Sequence, residues 1–316
     1  MDAPYVSVIL CTHNRCERLM RACAALARQD CPRERYEVIV VDNRSTDGTE
    51  QAMTTFAASL LVAFRYIYEP RLGRSYALNA GVAAARGHIL ALTDDDAEAR
   101  PDWLRTLVAV FEDPRVGVAG GAVPCHFAGE VMADPEARFL AESFLTNFSL
   151  GNETRELAGR ESPIGCNIAV RRGALLRAGG FSPHLGAVGE GGGAYEETAV
   201  TWRIRDLGYR SVYEPRAVVD HYPDPARLSR ARLRSRATAW GRCRYIAKQK
   251  GSVSIPLRCV RTLVVGTEIM LRTLALMVHL PSSRQRFVAE LRLRGSVGKL
   301  RAIWANALDG QRYDLS

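Results

Sequence analysis

One segment of the sequence reads Ile89-Leu90-Ala91-Leu92-Thr93-Asp94-Asp95-Asp96. Its first five residues are apolar or β-branched, which predicts a buried strand, and three carboxylates follow at once. Crowded acids repel one another and resist burial, so a cation among them would explain the pattern. Oxygen ligands suit a hard ion such as Mg²⁺ or Mn²⁺, which usually completes its shell with substrate phosphates. The stretch predicts a metal and diphosphate site; a solvated acidic loop before the next helix is the alternative.

Short apolar runs alternate with helical patterns around this stretch. Strands are predicted at residues 5–10, 37–41, 64–68, 88–92 and 116–123, and helices at 16–28, 49–60, 75–86 and 101–111. Such alternation predicts an α/β fold of the Rossmann type, with one mixed, mostly parallel sheet flanked by helices. Ligands bind beyond the carboxyl ends of such strands. The polar segments 11–15, 42–48 and 94–96 should therefore converge on one crevice.

A less regular region follows the regular alternation. Strands are predicted at residues 164–170 and 209–213, with a helix at 197–207 between them. The run Gly189-Glu190-Gly191-Gly192-Gly193 costs much backbone entropy to order. It indicates either a mobile loop beside a site or a plain surface loop.

Charge divides the 316 residues into two parts. Residues 224–316 hold 19 Lys or Arg against 5 Asp or Glu, a net charge of +14, whereas residues 1–223 hold 24 against 29, a net of −5. We therefore predict one domain at 1–223, with halves at about 1–123 and 124–223, and a basic helical extension at 224–316. Its charge favours contact with an anionic membrane, with nucleic acid or a simple solvated helix face as alternatives.

Within this extension, residues 262–280 are apolar enough to suggest a membrane span. Glu268 and Arg272 interrupt the segment, however, and Pro256 and Pro281 bracket it. A span needs about 20 mostly uncharged residues, and two opposite charges four residues apart can pair on a helix. An interfacial or packed helix is therefore the prediction.

The cysteines and the first residues indicate the compartment. None of the eight cysteines forms a CxxC pair or has ligand spacing with a histidine, which favours free thiols. Residues 1–4 lack basic side chains, and the following apolar stretch is too short for a signal peptide. The expectation is a cytoplasmic protein, with the inner face of the cell membrane as its possible location.

Polar side chains after the other strands suit a nucleotide. Asp42 ends an apolar strand, where its carboxylate can accept a pyrimidine N–H or a ribose hydroxyl, whereas Asp47 and Thr49 are explained by helix capping. Further candidates follow the first strand or open another helix: Thr12, Asn14, Arg15, Arg74 and Asn79. No GxGxxG follows a strand and no GxxxxGK[ST] is present, so dinucleotide and P-loop sites lose support.

Taken together, these motifs resemble the family 2 inverting glycosyltransferases of the GT-A fold. The resemblance covers residues 5–222 in order and at similar spacing. It is carried by residues 6–15, Val40-Val41-Asp42-Asn43, Ser45-Thr46-Asp47-Gly48-Thr49, Asn79-Ala80-Gly81, Leu92-Thr93-Asp94-Asp95-Asp96, Gly165-Cys166-Asn167, Glu196-Glu197, Trp202-Arg203 and Gly208-Tyr209-Arg210.

The resemblance implies roles for particular residues. Asp42 would recognise the nucleoside, Asp94 the ribose or the metal side of the donor, and Asp96 the divalent ion, Mg²⁺ or Mn²⁺. His221 is similar to a histidine that joins the metal shell in some members, and a structural hydrogen-bonding role is its alternative. The nucleotide sugar would also meet Thr12, Asn14, Arg15, Arg74, Asn79 and Asp95.

The resemblance also implies a catalytic base. Glu196 and Glu197 match the acidic pair of the family, whose second member usually deprotonates the acceptor. Here that second member is Glu where Asp is commoner, so Glu196 is a candidate to share the task. First-turn acids stabilised by a helix dipole are the alternative explanation.

The expected activity is a metal-dependent, inverting transfer of one sugar from a nucleoside diphosphate donor to a glycan, lipid-linked or small-molecule acceptor. A QxxRW motif is absent from the sequence, which argues against a processive synthase. A nucleotidyltransferase on the same fold is one alternative. A non-catalytic protein that binds glycan or, less expectedly, nucleic acid is the other.

Overall fold

The computed structural model describes residues 5–58, 62–145, 147–187, 193–249, 254–277 and 282–305. These residues form two compact units. The first comprises residues 5–181 and 197–225, and the second comprises 182–196 and 226–305. The predicted domain boundaries, including the division at 123, stay predictions. The glycine-rich run lies mostly outside the described residues, because 188–192 are not among them.

The first unit is built on an eight-stranded sheet. In chain order its strands are β1 (Val6–Thr12), β2 (Tyr36–Asp42), β3 (Ala63–Tyr68), β4 (Ile89–Asp94), β6 (Val116–Gly120), β7 (Arg155–Glu156), β8 (Ile168–Arg171) and β9 (Arg210–Tyr213). The spatial order is β3-β2-β1-β4-β8-β6-β9-β7. β2 pairs in parallel with β3 and with β1, and β1 pairs in parallel with β4. β6 and β9 are also parallel, whereas β8 lies antiparallel to both of its neighbours, β4 and β6.

Helices cover both faces of this sheet. They are α1 (Cys16–Ala27), α2 (Thr49–Ala58), α3 (Arg74–Ala84), α4 (Trp103–Val110), α5 (Gly129–Ala133), α6 (Pro135–Phe144), α7 (Arg172–Arg177) and α8 (Glu196–Asp206). Alternate strand residues point to opposite faces. Val8 of β1 therefore packs in a core with Leu19 of α1 and Trp103 of α4, whereas Ile9 packs in a second core with Leu78 of α3. The predicted mixed, mostly parallel α/β fold is confirmed.

Two predicted strands are shorter in the structure than expected. β6 ends at Gly120, and a Cβ on the next residue, Gly121, would overlap the carbonyl oxygen of Ala217. β8 begins only at Ile168. The preceding residues form a turn in which Asn167 donates to the carbonyl oxygens of Ala122 and Ala217, so its buried amide joins loops rather than a ladder.

A small second sheet was not predicted. It consists of β5 (Ala97–Ala99) and β10 (Val219–His221), which pair antiparallel so that His221 lies opposite Ala97. Three-residue strands leave little periodicity in the sequence. This pairing brings His221, near the end of the first unit, beside the acidic triplet.

The second unit consists mainly of three long helices, α9 (Arg230–Ala247), α10 (Ile255–Met277) and α11 (Ser283–Trp304). α9 and α11 approach closely at glycines: a Cβ on Gly241 would overlap the carbonyl oxygen of Gly295, and a Cβ on Gly298 that of Thr238. Gly241 is therefore required for this crossing.

Helix α10 contains most of the apolar segment predicted at 262–280, although 278–280 are not among the described residues. The predicted pair is present, since Arg272 lies 2.7 Å from Glu268. Pro256 lies in the first turn of the helix rather than before it, a position that tolerates proline because its missing N–H would have no helical partner. Among the described helices, none has the length and apolar content of a membrane span.

Candidate functional site

Strand register brings the predicted polar segments together. Parallel pairing places Thr12 beside Asp42, and Cys11 beside Asp94, at the carboxyl ends of β1, β2 and β4. The chain leaves the sheet at these positions, and its side chains converge above the same edge. The segments that follow the three strands therefore share one crevice, as predicted.

Arg15 holds two carboxylates of the triplet. Its Nη1 lies 3.0 Å from Asp95 Oδ1 and 3.4 Å from Asp96 Oδ2. Thr12 donates its hydroxyl to Asp95 Oδ2 at 2.8 Å. Burial raises the pKa of Asp95 to about 6, against the opposing effect of Arg15. Asp95 thus ties the end of β1 to the triplet from a buried position.

Arg74 joins the remaining carboxylate to the candidate base. Its Nη2 lies 2.8 Å from Asp94 Oδ1 and 3.0 Å from Glu197 Oε1. Burial raises the pKa of Glu197 above its usual range, and the positive charge of Arg74 opposes that rise. A carboxylate with a raised pKa is better suited to accept a proton than an exposed one.

The two arginines change the electrostatic argument made from sequence. Crowding of Asp94, Asp95 and Asp96 indicated a metal ion, but Arg15 and Arg74 already place positive charge against all three. Guanidinium groups are permanently charged and suit carboxylate pairs. Crowding alone therefore does not require an ion, and the argument for a metal must come from the geometry of individual donors.

Asp96 and His221 have that geometry. His221 Nε2 lies 3.3 Å from Asp96 Oδ1 because β10 pairs with β5, and two ligands at ~2.1 Å from an octahedral ion lie about 3 Å apart. His221 Nδ1 also contacts Cys125 Sγ at 3.4 Å. Burial lowers the pKa of His221, but its contacts with Asp96 and Cys125 outweigh burial and raise it to about 9, so an ion that binds here must displace the imidazolium proton.

Asp94 does not complete a three-residue cage with this pair. Among the described residues, no group of three His, Cys, Asp or Glu side chains is placed to hold an ion. Mg²⁺ and similar ions commonly take only one or two protein ligands and fill the other positions with water and substrate phosphates. The Asp96 and His221 donors fit such a partial shell, whereas Asp94 faces Arg74.

Asp42 lies beside an open cleft of about 490 Å³. Its Oδ1 accepts the backbone N–H of Ser45 at 2.7 Å, and its Oδ2 accepts the hydroxyl of Tyr66 at 2.7 Å. Tyr68, which also lines the cleft, is half-exposed. These hydrogen bonds hold the Asp42 carboxylate beside the cleft, and the tyrosine side chains that line the cleft provide an aromatic surface for stacking with a flat ring.

Two predicted donor-binding residues have structural partners instead. Asn14 adopts a positive φ of 51° and accepts the N–H of Thr46 at 2.7 Å, which joins the loops after β1 and β2. Asn79 is buried on α3, and both ends of its amide bond the backbone of Phe181. Direct contact of either residue with a donor stays a prediction.

Glu197 is fixed in the first turn of α8 by a close backbone approach. A Cβ at Gly165, in the turn before β8, would overlap the Glu197 carboxylate. The preceding acid, Glu196, is the first residue of α8 and is also buried. Gly165 therefore provides the space in which the carboxylate meets Arg74, which explains a glycine at this point of the motif.

We expect Gly165→Ala to lower kcat at least tenfold with little loss of stability. The added methyl must displace the Glu197 carboxylate, a flexible side-chain end that moves at small cost to the fold, and even small misplacement of a catalytic group is expensive. Steady-state kinetics and thermal unfolding measure the two effects. Gly173→Ala is the matched control, because its Cβ would meet no neighbour. Equal kcat for both variants would contradict a positioning role for Gly165.

Sequence reasoning overlooked three neighbours of the site: Tyr66, Cys125 and Gly165. Tyr66 lies in β3, two residues before the strand end, and carried no motif. Cys125 was counted only as a free thiol. Gly165 belonged to the motif Gly165-Cys166-Asn167 without a role of its own, and the reason for a glycine there becomes visible only with Glu197 in place.

Comparison with known proteins identifies the family. The model of the family described as "Glycosyl transferase family 2" matches residues 7–177, more than half of the chain. This chain belongs to glycosyl transferase family 2. The match spans β1 to α7 and includes the acidic triplet, so the family resemblance drawn from the motifs is confirmed.

Curated relatives of this family 2 chain are named glycosyltransferases. Glycosyltransferase AglE of Haloferax volcanii is 28% identical over 208 residues, which cover 65% of this chain and 63% of that protein. Glucosyl-dolichyl phosphate glucuronosyltransferase of the same organism is 29% identical over 225 residues, 68% of each protein. The chain thus matches less than two thirds of the length of the first relative.

A solved structure shares the fold of this family 2 chain. Mannosyltransferase PcManGT from Pyrobaculum calidifontis, determined in complex with GDP-Man and Mn²⁺, aligns with a TM-score of 0.62 and 24% identity. The alignment covers 96% of this chain and 88% of that one. The likeness confirms the GT-A fold.

Proposed function

We propose that this protein is an inverting, metal-dependent glycosyltransferase that adds one sugar from a nucleoside diphosphate donor to an acceptor hydroxyl. The observation that carries the proposal is the bridge from Arg74 to both Asp94 and Glu197, at 2.8 and 3.0 Å. It places a buried candidate base next to a candidate donor-binding carboxylate. Inverting transfer requires the base and the donor-binding group to lie close together, because the base and the leaving group act on opposite sides of one anomeric carbon.

The residues of the site divide the work of the transfer. Glu197 takes the proton from the acceptor hydroxyl as oxygen attacks the anomeric carbon, while the bond to the nucleoside diphosphate breaks. Asp42 would hold the nucleoside at its cleft, and Arg15 and Arg74, which pair with the triplet, would face the diphosphate. Asp96 and His221 would hold a divalent ion, Mg²⁺ or Mn²⁺. When bound, the ion stabilises the departing diphosphate.

For the acceptor we propose a lipid-linked glycan or sugar. A relative that matches 68% of this chain is named for transfer to glucosyl-dolichyl phosphate, a sugar on a lipid carrier. Single addition is favoured over processive synthesis, because the sequence lacks QxxRW.

Release of nucleoside diphosphate tests the proposal directly. Full-length protein is mixed with GDP- and UDP-sugars, with Mn²⁺, with Mg²⁺ or with a chelator, in the presence of polyprenyl-linked acceptors. The expected result is metal-dependent release of nucleoside diphosphate and an inverted anomeric configuration in the product by NMR. Release of pyrophosphate would indicate a nucleotidyltransferase, and no release with any donor would indicate a binding protein.

The pH profile reports the candidate base. The pKa of Glu197 is raised, so the carboxyl is protonated and inactive at low pH, and kcat/KM rises as pH increases through that pKa. Arg74→Gln removes the positive charge that lowers this pKa, so we expect its acid limb at higher pH than in the wild type. Rates measured between about pH 5 and 9 resolve the shift.

Arg115→Gln is the control for this experiment, because its guanidinium pairs with Asp113 outside the site. Its profile should coincide with that of the wild type. If Arg74→Gln left the acid limb of the pH profile unchanged, Glu197 would not be the group whose ionisation that limb reports.

A further inference from the structure

Helix α10 presents apolar side chains to solvent along one side. Six of them, between residues 260 and 274, are between 50% and 72% exposed. We call this set the α10 apolar face: Val260, Leu263, Val264, Met270, Leu271 and Leu274. Contiguous exposed apolar surface of this kind marks an interaction site rather than ordinary surface.

The opposite side of α10 packs inward through buried Val265 and through charged side chains. Glu268 lies 2.7 Å from Arg272 and 2.9 Å from Lys299 of α11, and it accepts the hydroxyl of Ser296 at 3.0 Å. Arg261 donates to Tyr245 of α9 at 3.0 Å. A helix on the surface of a water-soluble protein normally has the reverse arrangement. These ion pairs fix the rotation of α10, so the apolar face cannot turn inward without breaking them.

The dimensions of α10 favour contact in the plane of a bilayer. Its 23 residues give a length of about 34 Å, but the charged side chains on its inner face prevent it from crossing the hydrocarbon layer alone. A helix with one apolar side lies along the interface with that side buried. Trp304 of α11 donates its Nε1–H to Thr262 of α10 at 2.9 Å and leaves half of its surface exposed. Tryptophan is enriched at such interfaces.

Charge decides between a membrane and a second copy of the chain. Residues 224–316 carry a net charge of +14, so two copies joined through this region would repel each other. An anionic leaflet attracts the same charge. Exposed Arg301 lies three residues before Trp304 on α11, which places a cation beside the indole on one helix face.

We propose that the α10 apolar face inserts in-plane into an anionic membrane surface. The proposal goes beyond the sequence-based expectation of a basic extension and an interfacial or packed helix, since it assigns the contact to six apolar side chains. It is independent of glycosyl transfer, because membrane binding is measured without donor or acceptor.

Vesicle co-sedimentation of the full chain tests the proposal. Vesicles of phosphatidylcholine with about 30% phosphatidylglycerol are compared with phosphatidylcholine alone, at low and high salt. We expect the wild type to bind the anionic vesicles and Leu263→Glu with Leu271→Glu to lower the partition coefficient on the order of 100-fold, since two apolar anchors become charged. Leu207→Glu, at an exposed leucine of the first unit, should bind like the wild type.

A second measurement does not depend on the folding of the double variant. Tryptophan emission of the wild type should shift to shorter wavelength on adding anionic vesicles, and Trp304→Phe should lose most of that shift. Wild-type binding by the double variant, or an unchanged emission shift in Trp304→Phe, would overturn the proposal. The proposal would also be overturned if light scattering showed a dimeric wild type and a monomeric double variant, because the α10 apolar face would then join two copies of the chain.

Discussion

Glu197→Gln is expected to lower kcat by 10²- to 10⁴-fold, the contribution typical of a positioned base. Glutamine keeps the size of the side chain and can still face Arg74, but it cannot accept the acceptor proton. Donor affinity should change little, because Asp42, Arg15 and the Asp96 pair remain. Turnover is measured with the donor that the release assay selects, and donor binding by calorimetry.

Glu196→Gln is the matched comparison, with the same chemical change one residue earlier on α8. We expect a loss of less than tenfold, because Glu197 is the acid that lies 3.0 Å from Arg74 and against Gly165. A larger loss in Glu196→Gln than in Glu197→Gln would transfer the base role to Glu196. Full activity of Glu197→Gln would exclude it from the chemistry.

Asp96→Asn is expected to lower kcat/KM by about 10³-fold, because a lost metal contact removes several kcal/mol of charge stabilisation. The variant should also need far more Mn²⁺ for half-maximal activity. His221→Gln should have a similar but smaller effect, since one of two protein donors remains. Activity titrated against Mn²⁺ and Mg²⁺ measures both changes.

Asp220→Asn supplies the control for this experiment. Asp220 precedes His221 on β10 and loses the same charge, but its carboxylate pairs with Arg100 and His126 rather than with Asp96. Its metal dependence should equal that of the wild type. If Asp96→Asn kept the wild-type response to Mn²⁺, Asp96 would not be a metal ligand.

Much of the crevice could be predicted because it depends on strand ends. Residues 6–12 and 89–94 are apolar runs that end in polar side chains, and parallel register alone brings such ends together. Local pattern is sufficient there, because each strand carries its own signal of burial. The family resemblance then assigned an expected role to the acid that follows each strand.

The partners of the acids could not be predicted in the same way. His221 reaches Asp96 through a ladder of three residues, too short to leave a periodic signal. Arg74 was expected to face a nucleotide, and its span from Asp94 to Glu197 depends on where the first turns of α3 and α8 lie in space. Contacts between side chains more than 100 residues apart depend on packing that periodicity does not report.

The orientation of α10 shows the same limit. The sequence indicated an interfacial or packed helix and suggested that Glu268 pairs with Arg272, which it does. Which side faces inward, however, is decided by Lys299 and Ser296 of α11, more than 25 residues further along the chain. Hydropathy alone would have placed the leucines inside.

Arg15 and Arg74 have a consequence for the energetics of the whole molecule. They act as internal counter-ions for Asp94, Asp95 and Asp96, each of which lies within 3.4 Å of a guanidinium nitrogen. In small metalloproteins whose ligands would otherwise repel, folding and ion uptake are a single equilibrium. With these counter-ions in the chain itself, we expect folding and ion uptake to be separate equilibria here.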